Sequence, residues 1–454
     1  MKFLRSSFWL HSIFYTLLQR SSLFFFGVVS YIVLVRGLTK ENNGVWALYL
    51  VVLTIFETVK QGLLRNPTIK FLGLSEYEFK KDDIQTASLA INILFSAIAI
   101  VLLLFFGGQL SQLLKSPELK PLLWWSVAMI LLLIPFNHCE ILLQANYQFP
   151  KIFWAYFIRQ GIFFLGILIL FFFSREYFTL LTLIKLQILA LFCGVVVMYP
   201  PARKYLLKKF SLDTVIIMRL FHFGKFIFGT NLVSNLSRSF DHFITANVLG
   251  PVTGKSYVAY YNTVARINNM VDVPSLAAAD VLFPKNVETF ETDGLGKVKY
   301  YFERMVGTIL ALVIPISLFI FIFPGFIIYV LAGKNYYGAI PILQLTILFS
   351  LVRPLSYQFG STLDAIGKPH INFWANFLLM IFNLVMTYLF LSFFDGIGAA
   401  YATVITYTVS FFTMIAILKK YIHVELLNIC RYIFQSYKDV FRITSKALSG
   451  NYGS

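Results

Sequence analysis

From residue 11 to residue 418 the chain is a succession of apolar runs separated by short polar breaks. A helix rises 1.5 Å per residue, so about twenty apolar residues carry it across the hydrocarbon layer of a bilayer. Twelve runs meet that requirement, at approximately 11–35, 45–65, 84–107, 121–145, 151–173, 177–199, 218–248, 256–283, 302–325, 338–366, 370–393 and 396–418. The pattern predicts an all-α polytopic membrane protein. None of the breaks has the length of a folded soluble domain.

The polar exceptions inside these runs are themselves ordered. Between Met218 and Pro284 the sequence predicts a hairpin whose first arm places Asn231, Asn235, Arg238, His242 and Thr245 at steps of four and three, on one helix face. The second arm repeats the device with Asn262, Arg266, Asn269 and Asp280. Counted from the turn at Gly250 to Gly254, Arg238 and Arg266 each lie about 18 Å along their helices and share a depth. An Arg at the centre of a span costs roughly 2.5–3.5 kcal/mol on insertion scales, so such residues face a bundle interior or a watery cavity.

A repeat organises the whole. Leu143, Ala145, Phe153, Trp154, Ala155 and Phe157 recur as Leu363, Ala365, Phe373, Trp374, Ala375 and Phe377. The turn Asn43-Gly44-Val45-Trp46-Ala47 has a looser counterpart in Gly254 to Ala259. Two six-helix bundles follow, 1–210 and 211–420, with 421–454 as a tail. Six is even, so both bundles point the same way, related by a pseudo-two-fold axis along the membrane normal, and the expected site is a central cationic cavity. In the tail, Leu426, Cys430, Ile433, Tyr437 and Val440 fall on one side of a helix and Arg431, Gln435, Lys438 and Arg442 on the other. That segment predicts a cytoplasmic amphipathic helix lying on an anionic leaflet, with a docking helix for a partner enzyme as the alternative.

Composition agrees with the pattern, since 58% hydrophobic and 13% charged residues exceed what a soluble core needs. The net charge of +17 would suit nucleic acid in a soluble protein, but here its location decides. Of 38 Lys and Arg, 23 fall in segments on the N-terminal side of the membrane, 7 in the opposite loops and 8 within spans. By the positive-inside rule both termini are cytoplasmic. Lys2 and Arg5 before an apolar run imitate a signal peptide, yet the run continues past Val35 without a small-residue cleavage site and is a retained span.

The embedded charges are the candidate chemistry. Arg20, Lys60, Arg238, Arg266 and Arg353 lie at middle or outer depth, where only Glu57 and Asp241 are acids of similar depth; Asp272, Asp280 and Asp364 fall nearer the cytoplasm. Arg159 is a further embedded cation. Pairing within helices, Glu57 with Lys60 and Arg238 with Asp241, is the plain alternative for any one residue. As a set, the surplus of cations suits a phosphate or pyrophosphate gripped by bidentate hydrogen bonds. Asp241, Glu57 and Asp280 are candidates for proton or sodium coupling. Pro135, Pro274, Pro315 and Pro354 interrupt spans and permit bends. Cys139, Cys193 and Cys430 lack metal or redox spacing, and there is no phosphate-cradle, zinc-protease or nucleophile-elbow motif, so neither a catalytic nor a metal site is expected.

The two six-span halves with a polar first hairpin in each, the segments Leu38–Tyr49 and Asp241–Tyr257, and the turn Leu363-Asp364-Ala365-Ile366-Gly367-Lys368-Pro369 together resemble polysaccharide flippases of the multidrug, oligosaccharidyl-lipid and polysaccharide exporter superfamily. The resemblance extends to about residue 420, although the turn Gly254-Lys255-Ser256-Tyr257 is one residue longer than that family's Gly-x-Tyr pattern. It implies alternating access in a bacterial inner membrane, moving an undecaprenyl-pyrophosphate-linked oligosaccharide for O-antigen, capsule or exopolysaccharide synthesis. It implies that Arg20, Lys60, Arg238, Arg266 and Arg353, with Asn231, Asn235, Asn262 and Asn269, contact pyrophosphate or sugar. Membrane lipids, a polysaccharide polymerase and chain-length machinery are the implied partners, with no nucleic acid and no cofactor. The rivals are a multidrug/cation antiporter of the same superfamily, which would want exposed carboxylates, and a membrane glycan polymerase or transferase, which would want a large outer loop.

Overall fold

The computed structural model describes residues 7–113, 116–249 and 253–448. Of the positions singled out above, Lys2, Arg5, Lys115 and the turn at 250–252 lie outside these residues, as do the side chains of Lys40, Arg238, His242, Lys255, Val440, Arg442 and Lys446. Among the described residues there are fifteen α-helices, joined by short turns and 3-10 segments, and no strand.

The chain divides into two compact units, and each is built separately. The first, Ser7–Phe228, contains α1 (Ser7–Gly37), α2 (Lys40–Gly73), α3 (Lys81–Leu113), α4 (Leu119–Ala145), α5 (Phe149–Phe173), α6 (Leu180–Ala202) and the first part of α7 (Thr214–Val248). Sequence sets the starts of these helices. The Thr39 hydroxyl accepts from Asn42 N at 3.2 Å to open α2, Thr179 accepts from Thr182 N at 3.3 Å to open α6, and Asp213 accepts from Val215 N at 2.8 Å to open α7. Leu34, Trp46, Tyr49, Leu122, Ile130 and Leu183 form its core. In lipid such packing is reinforced by interhelical hydrogen bonds rather than by exclusion of water, and Thr68 to Ser88 at 2.9 Å and Asn92 to the Ile134 carbonyl at 3.3 Å supply two, each of order 0.6 kcal/mol.

The second unit runs from Gly229 and takes in the rest of α7, α8 (Thr253–Thr292), α9 (Leu295–Ile322), α10 (Pro324–Ala332), α11 (Ile340–Leu348), α12 (Arg353–Ala365), α13 (Pro369–Phe394), α14 (Gly398–Ile422) and α15 (Leu426–Leu448). The unit boundary therefore falls inside α7, where Gly229 lies against the Phe373 ring of α13. Phe302, Val306, Leu355, Phe359, Leu363 and Leu418 form this core. Asn286 to Thr362 at 3.1 Å and Gln358 to the Ser275 carbonyl at 3.0 Å tie α8 to α12.

The sequence repeat is realised in backbone geometry. After α4, Gln148 N bonds the Leu143 carbonyl at 2.8 Å and Tyr147 N the Gln144 carbonyl at 3.1 Å; after α12, Lys368 N bonds Leu363 and Gly367 N bonds Asp364 at the same two distances. This is the helix-ending turn that needs a left-handed residue, and Gly367 adopts φ 84° while its counterpart Tyr147 accepts φ 58°. Pro150 and Pro369 then start α5 and α13, where a missing N–H costs nothing.

Nine segments of the described residues are long and apolar enough to cross a membrane, or ten if one bent pair is counted as a single span. One of the nine, Pro369–Ile422, comprises both α13 and α14. The expectation of twelve separate runs differs at two places. The predicted span 256–283 lies in α8, which is long but does not qualify because Asn262, Arg266, Asn268, Asn269, Asp272 and Asp280 interrupt its apolar character. The predicted span 338–366 is broken, with a bend of 44° between its halves, where Pro354 cannot continue the hydrogen-bond ladder.

The tail helix α15 packs on α9 of the same unit. The buried Glu303 accepts from Glu425 N at 2.7 Å and from the Asn428 amide at 3.1 Å, while Arg304 donates to Gln435 at 2.6 Å and to Asp439 at 3.1 Å. Gln435, placed by sequence on the free polar face, is thus engaged by α9.

Candidate functional site

In the first unit the decisive residue is Lys60 of α2, only 5% exposed. Its ammonium donates to Ser96 Oγ of α3 at 3.0 Å, and Ser96 Oγ lies 3.5 Å from Asn92 Oδ1. The pairing with Glu57 three residues earlier is not made, and no carboxylate among the described residues forms an ion pair with Lys60. An ammonium has three donors, and a buried charge is expensive unless paired, so this group is under-compensated. Glu57 and Arg20 are both half-buried in this unit. Arg159 of α5 has neither hydrogen bond nor ion pair among the described residues; its guanidinium carbon stands 5.1 Å from the Phe136 ring centre.

In the second unit the predicted residues separate into two groups. Asn262, Arg266 and Asn269 are exposed along one face of α8, and on α7 Asn235 is exposed and donates to the Asn231 carbonyl at 3.0 Å. The side chain of Arg238 lies outside the described residues, as stated. Arg353 behaves differently. It donates to Asp272 Oδ2 at 2.8 Å, the Tyr357 hydroxyl donates to the same oxygen at 3.2 Å, and the Tyr407 ring centre lies 5.6 Å from the guanidinium carbon. The expectation that Asp272 sits too near the cytoplasm to neutralise Arg353 is corrected: the break before α12 returns the chain so that Arg353, at the first position of that helix, meets α8 beside Asp272.

Asp241 of α7 is the converse of Lys60. Thr387 Oγ1 lies 3.3 Å from Asp241 Oδ1, and the Asn383 amide, turned with its nitrogen toward the carboxylate, donates at 2.9 and 3.2 Å while accepting from Thr406. That orientation is the physical one, because a carboxylate offers only acceptors. All of these partners are neutral. Asp280 is half-buried on α8 and is not part of this cluster. Sequence reasoning named Asp241 but missed Asn383 and Thr387, whose spacing of four on α13 was the available signal. It likewise missed Ser96 and Asn92 beneath Lys60, again four apart.

No group of three or more metal-binding side chains occurs among the described residues. The three cysteines are free.

Comparison with known proteins places this architecture. The chain is 26% identical over 227 residues to an uncharacterised membrane protein of Methanocaldococcus jannaschii, which is 50% of this chain and 45% of that one. It is 22% identical over 191 residues, 42% of this chain and 40% of the other, to the Haloferax volcanii protein named "Probable low-salt glycan biosynthesis flippase Agl15". The chain thus spans less than half the length of either relative. In fold it is similar to an outward-facing multidrug resistance transporter of the MATE family, with a TM-score of 0.77 at 15% identity over 90% of this chain and 95% of that structure. The family model described as polysaccharide biosynthesis protein matches residues 33–341, two-thirds of the sequence, taking in most of the first helical unit and half of the second, and the chain belongs to that family.

Proposed function

We propose that this multi-pass membrane protein is a flippase that carries a lipid-linked oligosaccharide with a pyrophosphate linkage from the cytoplasmic to the outer leaflet of a bacterial inner membrane, by alternating access and without covalent chemistry. The observation that carries the reading is the buried Lys60 ammonium, whose hydrogen bond goes to a neutral serine and which forms no ion pair with the carboxylate of Glu57 nearby. A pyrophosphate would supply the missing negative charge, and Arg20, Arg238 and Arg266 with Asn231, Asn235, Asn262 and Asn269 are the further proposed contacts. Arg353 is assigned to its ion pair with Asp272 instead. Asp241, hydrogen-bonded by Asn383 and Thr387, is the proposed proton or sodium site, since a carboxylate without a cationic partner can take a proton or a hard monovalent cation. The antiporter alternative asks for carboxylates open to a cationic drug, whereas the under-compensated carboxylate here, Asp241, is hydrogen-bonded by Asn383 and Thr387 and the other under-compensated groups are cations. The proposed partners, a polymerase and chain-length machinery, follow from the same pathway reading, and the proposed cytoplasmic placing of both termini from the split of 23 against 7 loop cations.

Reconstitution into liposomes with a fluorescent lipid-linked oligosaccharide tests the assignment. Lys60→Met should insert and purify normally yet lose at least tenfold in translocation rate. Wild-type translocation by that variant would remove Lys60 from the site.

A further inference from the structure

The first unit contains a cavity of about 560 Å³ among α1, α2, α5 and α6, within the size range of small-molecule sites. None of the substrate contacts proposed above lines it. Its chemistry is one-sided. Arg159 is its charged lining residue, and the neighbouring Gln160 makes no hydrogen bond among the described residues. Gln187 of α6 accepts from the Tyr49 hydroxyl at 3.0 Å, which leaves its amide nitrogen without a protein acceptor. Three side chains that line this space therefore carry hydrogen-bond donors with no acceptor among the described residues. Beside them Trp46 and Phe163 stand nearly parallel, at 14° with ring centres 6.5 Å apart. The space is also kept open at the level of sequence. Gly27 and Gly44 both line it, and a Cβ built on either meets no atom within 4 Å. Glycine within a helix costs up to about 1 kcal/mol relative to alanine, so two at one cavity wall are retained against helix propensity.

We propose that this cavity binds an acidic sugar, a hexuronic acid within a short glycan segment, with its carboxylate on Arg159, its hydroxyls on Gln160 and Gln187, and a ring face against Trp46. The carboxylate matches the planar guanidinium fork. Glutamine amides both donate and accept, which fits sugar hydroxyls that do the same; a phospholipid phosphate, which only accepts, would leave the Gln160 amide oxygen unused. The aromatic faces carry partial negative charge and suit the C–H edge of a pyranose. Bare phosphate would leave most of the volume and both rings uncontacted. The inference rests on reading the chain as one that handles glycans, but not on the translocation step.

The test is binding to the purified full-length chain in nanodiscs, followed by saturation-transfer NMR and titration with a glucuronate-containing disaccharide and with its neutral glucose counterpart. The acidic disaccharide should bind at least tenfold more tightly. Arg159→Gln should erase that preference, and Arg159→Lys, which keeps the charge but loses the fork, should reduce it and serves if the first variant is not recovered folded. Gly44→Phe, which fills the space while leaving Arg159 in place, should abolish binding of both. Equal binding of the two disaccharides, or an unchanged preference in Arg159→Gln, overturns the proposal, as does Gly44→Phe-sensitive binding of short-chain phosphatidylglycerol where the sugar does not bind. A protein that translocates lipid-linked glycan but binds both disaccharides alike refutes this inference alone. One that selects the acidic disaccharide and translocates nothing refutes the flippase reading alone.

Discussion

The pair Arg353 and Asp272 allows the charge argument to be tested on energy rather than on transport. Their side chains are 13% and 5% exposed, the N–O distance is 2.8 Å, and Tyr357 adds a second donor to the same carboxylate oxygen. With charge centres roughly 4 Å apart and an effective dielectric of about 20, the attraction is of order 4 kcal/mol, most of which offsets the desolvation of the two groups. Removing one partner strands the other. Asp272→Asn and Arg353→Met should each lower stability by about 3–5 kcal/mol, whereas the double variant, which buries no net charge, should recover most of that loss. Two independent losses of that size would sum to about 6–10 kcal/mol, so recovery of most of either one corresponds to a coupling of at least about 4 kcal/mol. It is read from unfolding of the purified protein in detergent, and translocation is measured in parallel. If the two losses simply add in the double variant, the pair is not energetically coupled and the assignment of Arg353 to structure is wrong. If the double variant is stable but inactive, Arg353 belongs with the substrate contacts after all.

Four other outcomes follow from the geometry. Ser96→Ala removes the acceptor of a buried ammonium and should cost about 1–3 kcal/mol, a loss that Lys60→Met in the same chain should cancel, as denaturation of the two variants would show. Asp241→Asn keeps size and hydrogen-bonding capacity but removes the charge, so translocation in liposomes should lose its dependence on an imposed sodium or proton gradient. At Gly307 a Cβ would stand 2.6 Å from Tyr432 Cβ and 2.9 Å from the Ile429 carbonyl, so Gly307→Leu should push α15 off α9 and expose the tail to protease. The Glu425 carboxyl is held below its usual range by its hydrogen bond from Lys299. A depressed folded-state value means the contact contributes above the ordinary carboxylate range and is lost as pH falls through it, so spin labels on α15 should loosen in acid, and Glu425→Gln should flatten the response.

How much of this was legible depended on the range of each interaction. The all-helical character and the turn at Gly367 were readable because apolar run length and local turn chemistry act within a few residues, whereas the unit boundary inside α7 lies about twenty residues beyond the expected break at 210. The matching turn at Tyr147 was missed, because nothing in that residue type suggests a left-handed backbone. Pairings across helices were not readable. Depth counted from a turn put Arg353 and Asp272 on different levels because the count assumed an unbroken span; Pro354 interrupts it, and the error passed directly into the inventory of free cations. The same limit hid Ser96 from Lys60 and Thr387 from Asp241, since a hydrogen bond between helices leaves no trace at either residue beyond spacing on its own face. The tail helix was readable as amphipathic, but the identity of its packing surface depended on Glu303 and Arg304, more than a hundred residues earlier.

Once Arg353 is withdrawn, three embedded charges stand out because none of them forms an ion pair among the described residues. Lys60 and Arg159 belong to the first unit, and neither forms an ion pair with a carboxylate among the described residues, Glu57 acting on Lys60 only from beyond ion-pair distance; Asp241 belongs to the second, and its described partners are all neutral. Neutral dipoles reduce the cost of burying a charge without cancelling it, so each of these groups gains more from an ion of opposite sign than a paired residue could. A protein selected only for stability would replace them with apolar side chains, as buried ion pairs themselves are often replaced without loss. Their retention is most economically explained by ligands that come and go: an anion for the first unit and a small cation for the second. Because each ligand relieves a different unit, the two can be removed independently, and Lys60→Met should abolish translocation without altering the cation dependence of whatever conformational change Asp241 governs.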